Sequence, residues 1–164
     1  MFILDTNIVS NLRKKRPHPA VKQWVMETGW DNLSMTVVSV TEIQRGIERT
    51  RASDPTLAQN LETWLDGMLA VGEPMVLEMG VHAARLLARM HETPGLRHFV
   101  ITDPRAREQA TGADLSIAAI AITTGGLIAS SNTRHFCQIN DRFPLPGLFN
   151  PFDQTWQVMP VASS

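Results

Sequence analysis

The 164-residue chain has one cysteine, Cys137. An intramolecular disulfide is therefore excluded, and a reducing cytoplasm is the expected setting. No base and orienting group surround Cys137 in the sequence, so it reads as a small core residue and not as a nucleophile. An excess of charge of either sign is also missing. The 15 Lys and Arg against 16 Asp and Glu leave a formal net charge of −1. No bulk field draws such a chain to nucleic acid, and a polyanionic partner needs a local basic patch. No apolar run approaches the ~20 residues of a transmembrane helix. The first residues carry no basic stretch and their apolar run breaks at Asp5, so neither a secretory signal nor a membrane association is expected. Internal repeats and low-complexity segments are absent. There is no Gly-x-Gly-x-x-Gly fingerprint and no Walker loop, and Asp5-Thr6-Asn7 lacks the second aspartate of the Asp-x-Asp phosphatases. His18, His82, His91 and His98 lack zinc-type spacing and read as surface or helix-face residues.

What is present is a globular composition, 43% hydrophobic and 19% charged, long enough for one domain with its own core. Its organising stretch is the N-terminus. Met1 to Leu4 is an unbroken apolar run, as expected of a strand buried on both faces. It stops at Asp5-Thr6-Asn7. In open α/β sheets ligands sit at the carboxyl ends of strands. Asp5 is thus either a metal-binding or catalytic carboxylate, or the N-cap of the next helix.

Ile8, Val9 and Leu12 have helical spacing and lead into Arg13-Lys14-Lys15-Arg16. That run suits a helix C-terminus, or forms a phosphate-binding rim. Pro17 and Pro19 separate it from a second helix, which runs through Val21, Trp24 and Val25 to Gly29. Residues 32–38 read as a short strand. Ser39 or Thr41 is the expected cap of the next helix, which puts Glu42 in the first turn, where a carboxylate is favoured. Gly46 lies one turn further on that face, flanked by Arg45 and Arg49. Glycine there costs ~1 kcal/mol against alanine, so close approach by a backbone or a bulky ligand is expected beside Glu42. Asp54-Pro55 starts a helix whose stripe (Leu57, Leu61, Trp64, Leu65, Met68, Leu69) is core or dimer surface. Gly72 ends it. A strand at Met75–Leu77 and a helix from Gly80 to Met90 follow. Trp24, Trp30, Trp64 and Trp156 are assigned to packing before base stacking.

Residues 92–111 read as an insertion or long loop, with a strand conceivable over Phe99–Thr102. Asp103 is an accessory acid or the cap of the turn at Pro104. Gly112-Ala113-Asp114 opens a helix apolar nearly all round (Leu115, Ile117 to Ile122), so it is expected at the centre. Asp114, in its first turn, is a carboxylate held against the core. Leu127–Ala129 is a buried strand ending on Ser130-Ser131-Asn132. Thr133-Arg134-His135-Phe136 and a proline-punctuated tail follow, with one edge strand near Leu148 and frayed residues from Val161.

Alternating strands and helices indicate an α/β fold: a central parallel sheet flanked by helices on both faces, in three layers. Asp5, Glu42 and Asp114 then occupy comparable places and can converge on one sheet edge. Clustered carboxylates raise one another's pKa unless a cation lies among them. Oxygen-only ligands select Mg²⁺ or Mn²⁺ over zinc. Such metals polarise phosphoryl oxygens and generate hydroxide from bound water, so phosphodiester hydrolysis is the reaction class. Arg13 to Arg16, Arg45, Arg49 and Arg134 are the candidate holders of a polyanion.

Four motifs in this order carry a resemblance: Asp5-Thr6-Asn7; Thr41-Glu42-Ile43 with Gly46; Ala113-Asp114 heading an alanine–isoleucine helix; and Ser131 to Phe136. The chain resembles the PIN domain, and more narrowly the VapC-like toxins of bacterial type II toxin–antitoxin systems, in their FitB-like branch. The resemblance spans residues 1–152, a single PIN-like nuclease domain, with 153–164 as a C-terminal tail. It implies a Mg²⁺- or Mn²⁺-dependent ribonuclease, a small cognate antitoxin, promoter DNA bound only through that antitoxin, and a homodimer. It makes Asp5, Glu42 and Asp114 the catalytic, metal-holding acids. Thr6, Asn7, Arg45, Arg134 and His135 are the substrate-side candidates. At the fourth position the chain departs from the pattern. Relatives carry an acid where this chain has His135, or at the place of Asn132; here Asn132 is left to bind metal through its carbonyl or a water. Neutral ligands weaken Mg²⁺ binding, so the alternative implied is a weakly active or inactive partner within an antitoxin-mediated repressor complex.

Overall fold

The structure, a computed structural model, describes residues 1–100 and 112–160. Asp103, Thr102 and the residues from Val161 lie outside the described residues, and so do the expectations that fell on them. Among the described residues no helix is long and apolar enough to cross a membrane.

The apolar N-terminal run is β1 (Phe2–Leu4), with Ile3 and Leu4 fully buried. It pairs in parallel with β2 (Leu33–Thr36) on one side and β4 (Leu127–Ala129) on the other. Outside β2 lies β3 (Met75–Leu77), and outside β4 lies β5 (Leu148–Asn150), both parallel. A sixth strand, β6 (Thr155–Val158), closes that edge in antiparallel register, giving the order β3-β2-β1-β4-β5-β6. The sheet is therefore mixed, not wholly parallel. β5 lies inside it, and β6 falls within the stretch read as tail. Only alternate residues of β6 are partly covered, a weak signal after a proline-rich segment. Trp156 there packs on Phe149 (ring centroids 5.0 Å apart) and Phe2 (5.9 Å).

The chain leaves β1 for β2 and β3 on one side, then returns to the other side of β1 as β4. The strand order thus reverses between β1 and β4, and the crevice at their carboxyl ends is where an α/β sheet admits a ligand. Asp5 and Ser130 are the first residues past those two ends.

Helices cover both faces. On one lie α1 (Thr6–Leu12) and α2 (Pro19–Thr28), with Val21, Trp24 and Val25 packed among Leu4, Leu33 and Met35. On the other is α6 (Ala113–Thr124), buried from Ile117 to Ala121 as its composition predicts, beside α5 (Val81–Glu92) and α7 (Thr133–Asn140). α3 (Val37–Arg51) and α4 (Pro55–Val71) pack together beyond β2. In α4, Ala58 and Leu65 are core, while Leu57 and Leu69 are exposed. Cys137 packs against the α6 core, and burial pushes its thiol up.

Three local expectations are corrected. α3 begins at Val37 and is capped by Thr36, whose Oγ1 accepts from the Ser39 amide at 3.2 Å, so neither Ser39 nor Thr41 is the cap. Glu42 consequently lies in the second turn. The β-branched pair Val37-Val38 resembles strand, but the Thr36 hydroxyl satisfies one of the first free amides and starts the helix there. A Cβ on Gly46 would meet nothing within 4 Å, so among the described residues no other backbone makes the approach expected there, and a bulky ligand is the alternative left. Phe99 ends a 3-10 turn, Pro94–Phe99, and belongs to no strand. α7 is a helix that no extended apolar period in the sequence marks; it is anchored by buried Phe136 and Ile139, three residues apart.

Candidate active site

Asp5 occupies the N-cap position of α1, yet its carboxylate does not cap the helix with a side-chain bond. It is 4% exposed, and Ser130 Oγ donates to its Oδ2 at 2.5 Å. Asn7 Nδ2 donates to the same oxygen and, at 3.1 Å, to Ser130 Oγ. Asn7 Oδ1 accepts from the Ser131 amide at 3.3 Å. One side chain of α1 thereby ties the ends of β1 and β4 together around a buried carboxylate.

The other two acids arrive from elsewhere. Thr6, next to Asp5, donates from Oγ1 to Glu42 Oε2 at 2.6 Å, joining α1 to the second turn of α3. Asp114, with its side chain 19% exposed, sits in the first turn of α6. Its Oδ2 accepts from Asn132 Nδ2 at 3.1 Å and lies 2.7 Å from His135 Nδ1. Asn132 Nδ2 lies 2.8 Å from the same His135 Nδ1, so the three side chains meet at one ring nitrogen. The backbone amide of Asn132 donates to Ser130 Oγ at 2.9 Å, which connects the Asp114 side of the site to Asp5. Asp5, Ser130, Asn132, Asp114 and His135 form one continuous network, with Glu42 attached through Thr6.

Burial first, and then the charges of Asp114 and Glu42, push the Asp5 carboxyl up to about 7. The hydrogen bonds from Ser130 and the Thr6 backbone work against them. Burial also raises Asp114, and the bond and charge of His135 offset part of that rise. A buried acid pushed up further by like charges is the state a hard divalent cation relieves, and the donors are oxygens throughout, so the set suits Mg²⁺ or Mn²⁺ in kind. It is not gathered around a single point. Among the described residues no three His, Cys, Asp or Glu side chains stand close enough to hold a metal. Each acid is turned to its own protein donor: Ser130 and Asn7 for Asp5, Thr6 for Glu42, His135 for Asp114.

The candidate arginines stand outside this network. Arg45 is exposed on α3 and lines a groove between α3 and α4 with Gln44, Arg49 and Asp66. Arg134 is exposed in the first turn of α7. Arg13 to Arg16 are exposed just past α1, with the Arg13 guanidinium 5.8 Å from the Trp64 ring centroid. Two participants escaped the sequence reading. Ser130 stands directly after a buried apolar strand, as Asp5 does, and that symmetry was the available signal. Phe99 packs on His135 from 36 residues away, and no local pattern marks it.

The PIN domain family model matches residues 2–141. Ribonuclease VapC14 of Mycobacterium tuberculosis is 35% identical over 65 residues, 40% of this chain; the chain spans 63% of that relative's length. VapC ribonuclease Y4jK of Sinorhizobium fredii is 29% identical over 143 residues, 83% of this chain and 90% of that protein. Among solved structures, VapBC2 from Rickettsia felis bound to a DNA fragment from its promoter has the same fold, with a TM-score of 0.65. It is 17% identical and covers 91% of this chain and 97% of its own. With the family model matching from β1 to the end of α7, the chain belongs to the PIN-domain family and is VapC-like within it.

Proposed function

We propose that the chain is a Mg²⁺- or Mn²⁺-dependent endoribonuclease, the toxin of a type II toxin–antitoxin pair acting in the cytoplasm. The observation that carries this reading is the network joining acids from three separate elements at the β1/β4 crevice. Asp5 and Asp114 are the principal metal-holding residues, with Glu42 and the Asn132 side chain completing the set. When bound, the metal supplies the polarised phosphoryl oxygen and the activated water of phosphodiester hydrolysis. The chain's own contribution is orientation. Ser130 and Asn7 fix the Asp5 carboxylate, Thr6 fixes Glu42, and Asn132 with His135 fixes Asp114. His135, Arg45 and Arg134 are the substrate-side groups, and the exposed run Arg13 to Arg16 supplies the local positive patch that a net charge of −1 otherwise denies to RNA.

The relatives named VapC ribonuclease and the VapBC2 complex on promoter DNA support a small antitoxin partner, with DNA engaged only through it. A homodimer is part of the same proposal. One observation favours a second reading, a weakly active or inactive partner in a repressor complex: His135 occupies Asp114, and no ready-made three-residue metal group stands among the described residues.

The test is RNA cleavage by antitoxin-free protein in Mg²⁺, in Mn²⁺ and in EDTA, alongside Asp5→Asn. The nuclease reading expects metal-dependent cleavage that the substitution abolishes. Folded wild-type protein that cleaves no RNA with either metal would transfer the assignment to the partner reading.

A further inference from the structure

The 3-10 turn Pro94–Phe99 belongs to the stretch for which the sequence offered no role, yet it reaches the site. Its last two residues meet α7 at two points. His98 Nε2 lies 3.2 Å from Gln138 Oε1. The Phe99 ring stands perpendicular to the His135 imidazole, with centroids 5.1 Å apart and planes at 85°. Residues 135 and 138 are three apart on one helix and therefore share a face. His98 also packs on Phe99 at 4.3 Å. Phe99 is 6% exposed and rooted in the core with Leu96 and Met90, so it is a fixed wall and not a mobile ring.

His135 needs such a wall. Its side chain is 45% exposed, and an exposed helical side chain ordinarily exchanges rotamers within nanoseconds. Asp114 and Asn132 both meet Nδ1, but contacts at one ring atom leave the ring free to swing about it. The Phe99 contact removes that freedom. Nε2, on the other side of the ring, has no partner among the described residues and is the group the ring has left to offer.

We infer that Phe99 is a positioning residue: the 3-10 turn buttresses His135 so that Nε2–H is aimed to donate to a phosphate oxygen of RNA beside Asp114. This rests on the ribonuclease reading and deepens it by naming a phosphate contact and what aims it. Phe99 touches no substrate and acts through His135. A residue serving packing alone would lower stability and leave the imidazole as ordered as before.

Two readouts separate these roles. The first is ¹³C relaxation at His135 Cε1 in histidine-labelled protein, assigned with His135→Gln and compared across wild type, Phe99→Leu, Phe99→Met and Phe99→Tyr. The ring should become mobile in the leucine and methionine variants and stay ordered in the tyrosine variant. Methionine is unbranched and flexible and fills irregular gaps better than leucine, so it serves if the leucine variant does not fold. The second is a double-mutant cycle on RNA cleavage. Removing the ring should lower kcat about tenfold with a smaller change in KM, the scale on which small misplacements of a reacting group act. In the His135→Gln background the same substitution should change nothing further. An ordered His135 ring in the folded variants without the aromatic, or an equal loss of cleavage in both backgrounds, overturns the inference. If wild type cleaves no RNA, the ribonuclease reading falls, and the relaxation data still decide whether Phe99 holds His135.

Discussion

The two sides of the crevice hold their carboxylates by opposite means. At the β1 side, Asp5 is buried and met only by neutral donors, Ser130 and Asn7. At the α6 side, Asp114 is partly open and is met by His135, a group that can carry positive charge. Burial dominates at both, but only Asp5 is pushed further by its neighbours, while His135 compensates Asp114. The floor of the site thus wants a cation from outside, and the rim has part of one already. On the nuclease reading proposed above, a histidine in place of an acid would trade affinity for metal against a better-ordered metal-free site.

Removing the floor's charge is the most severe break. Asp5→Asn keeps the shape and the hydrogen bond from Ser130, and it should lower RNA cleavage by about a thousandfold or more, measured on folded protein. It should also alter stability in a defined direction. The folded-state value of about 7 lies above the ordinary 3.8, so between these values the folded chain binds a proton that the unfolded chain has lost. Stability from this group is fully present below about 3.8 and is lost as pH rises to about 7. Each unit of such a shift corresponds to about 1.4 kcal/mol, so the loss amounts to a few kcal/mol. Thermal melts without metal should show wild type weakening across that window and Asp5→Asn weakening clearly less, by only the share that the raised Asp114 still contributes. Parallel curves would mean that Asp5 is not held neutral by its surroundings.

Ser130→Ala attacks the same side less directly. It removes the donor to Asp5 and the acceptor for the Asn132 amide, so both halves of the network lose their junction. The cost should be about 1–3 kcal/mol, the range for leaving a buried polar group unsatisfied. Cleavage should fall by about ten- to a hundredfold. Denaturant titration and initial rates measure both. A stability loss with unchanged rates would place Ser130 outside the orientation of Asp5.

How much of this comparison the linear chain disclosed follows from range. Asp5 and Asp114 were legible because each abuts an uninterrupted apolar element, and burial of that element forces the acid beside it into place. α6 announced its central position through composition alone. Glu42 was recognised but put in the wrong turn, since Val37-Val38 has strand propensity and only the Thr36 hydroxyl reveals the true helix start. β6 and α7 are short and amphipathic, with four and eight residues, too few for a period to stand out. The bond between Asp114 and His135 joins residues 21 apart, and the Phe99 contact joins residues 36 apart. Their partners are set by how α5, α6 and α7 pack, which no local pattern encodes.

Converting the rim to resemble the floor sharpens the contrast. His135→Asp replaces the group that compensates Asp114 with another like charge. Without metal the variant should melt lower than wild type, because two carboxylates then face each other. With Mn²⁺ or Mg²⁺ it should gain more stability than wild type does, and calorimetry should show about tenfold tighter binding. Unchanged affinity would put His135 outside the metal's reach and leave the substrate-side role as its only one.

The mildest change concerns a position that neither side of the crevice explains. Gly46 sits in α3 one turn beyond Glu42, with open space where a Cβ would lie. Nothing in the fold requires glycine there, so Gly46→Ala should raise stability by about 0.5–1 kcal/mol through reduced backbone freedom in the unfolded chain. On the nuclease reading proposed above, the expected close approach at this helix face is by RNA or the antitoxin. If so, the stabilised variant cleaves more slowly or binds its antitoxin less tightly, and the two assays tell which ligand needs the space. A variant that gains stability and keeps both activities would show Gly46 to be tolerated rather than used, and the Glu42 face of the crevice would then have to be approached from its Thr6 side.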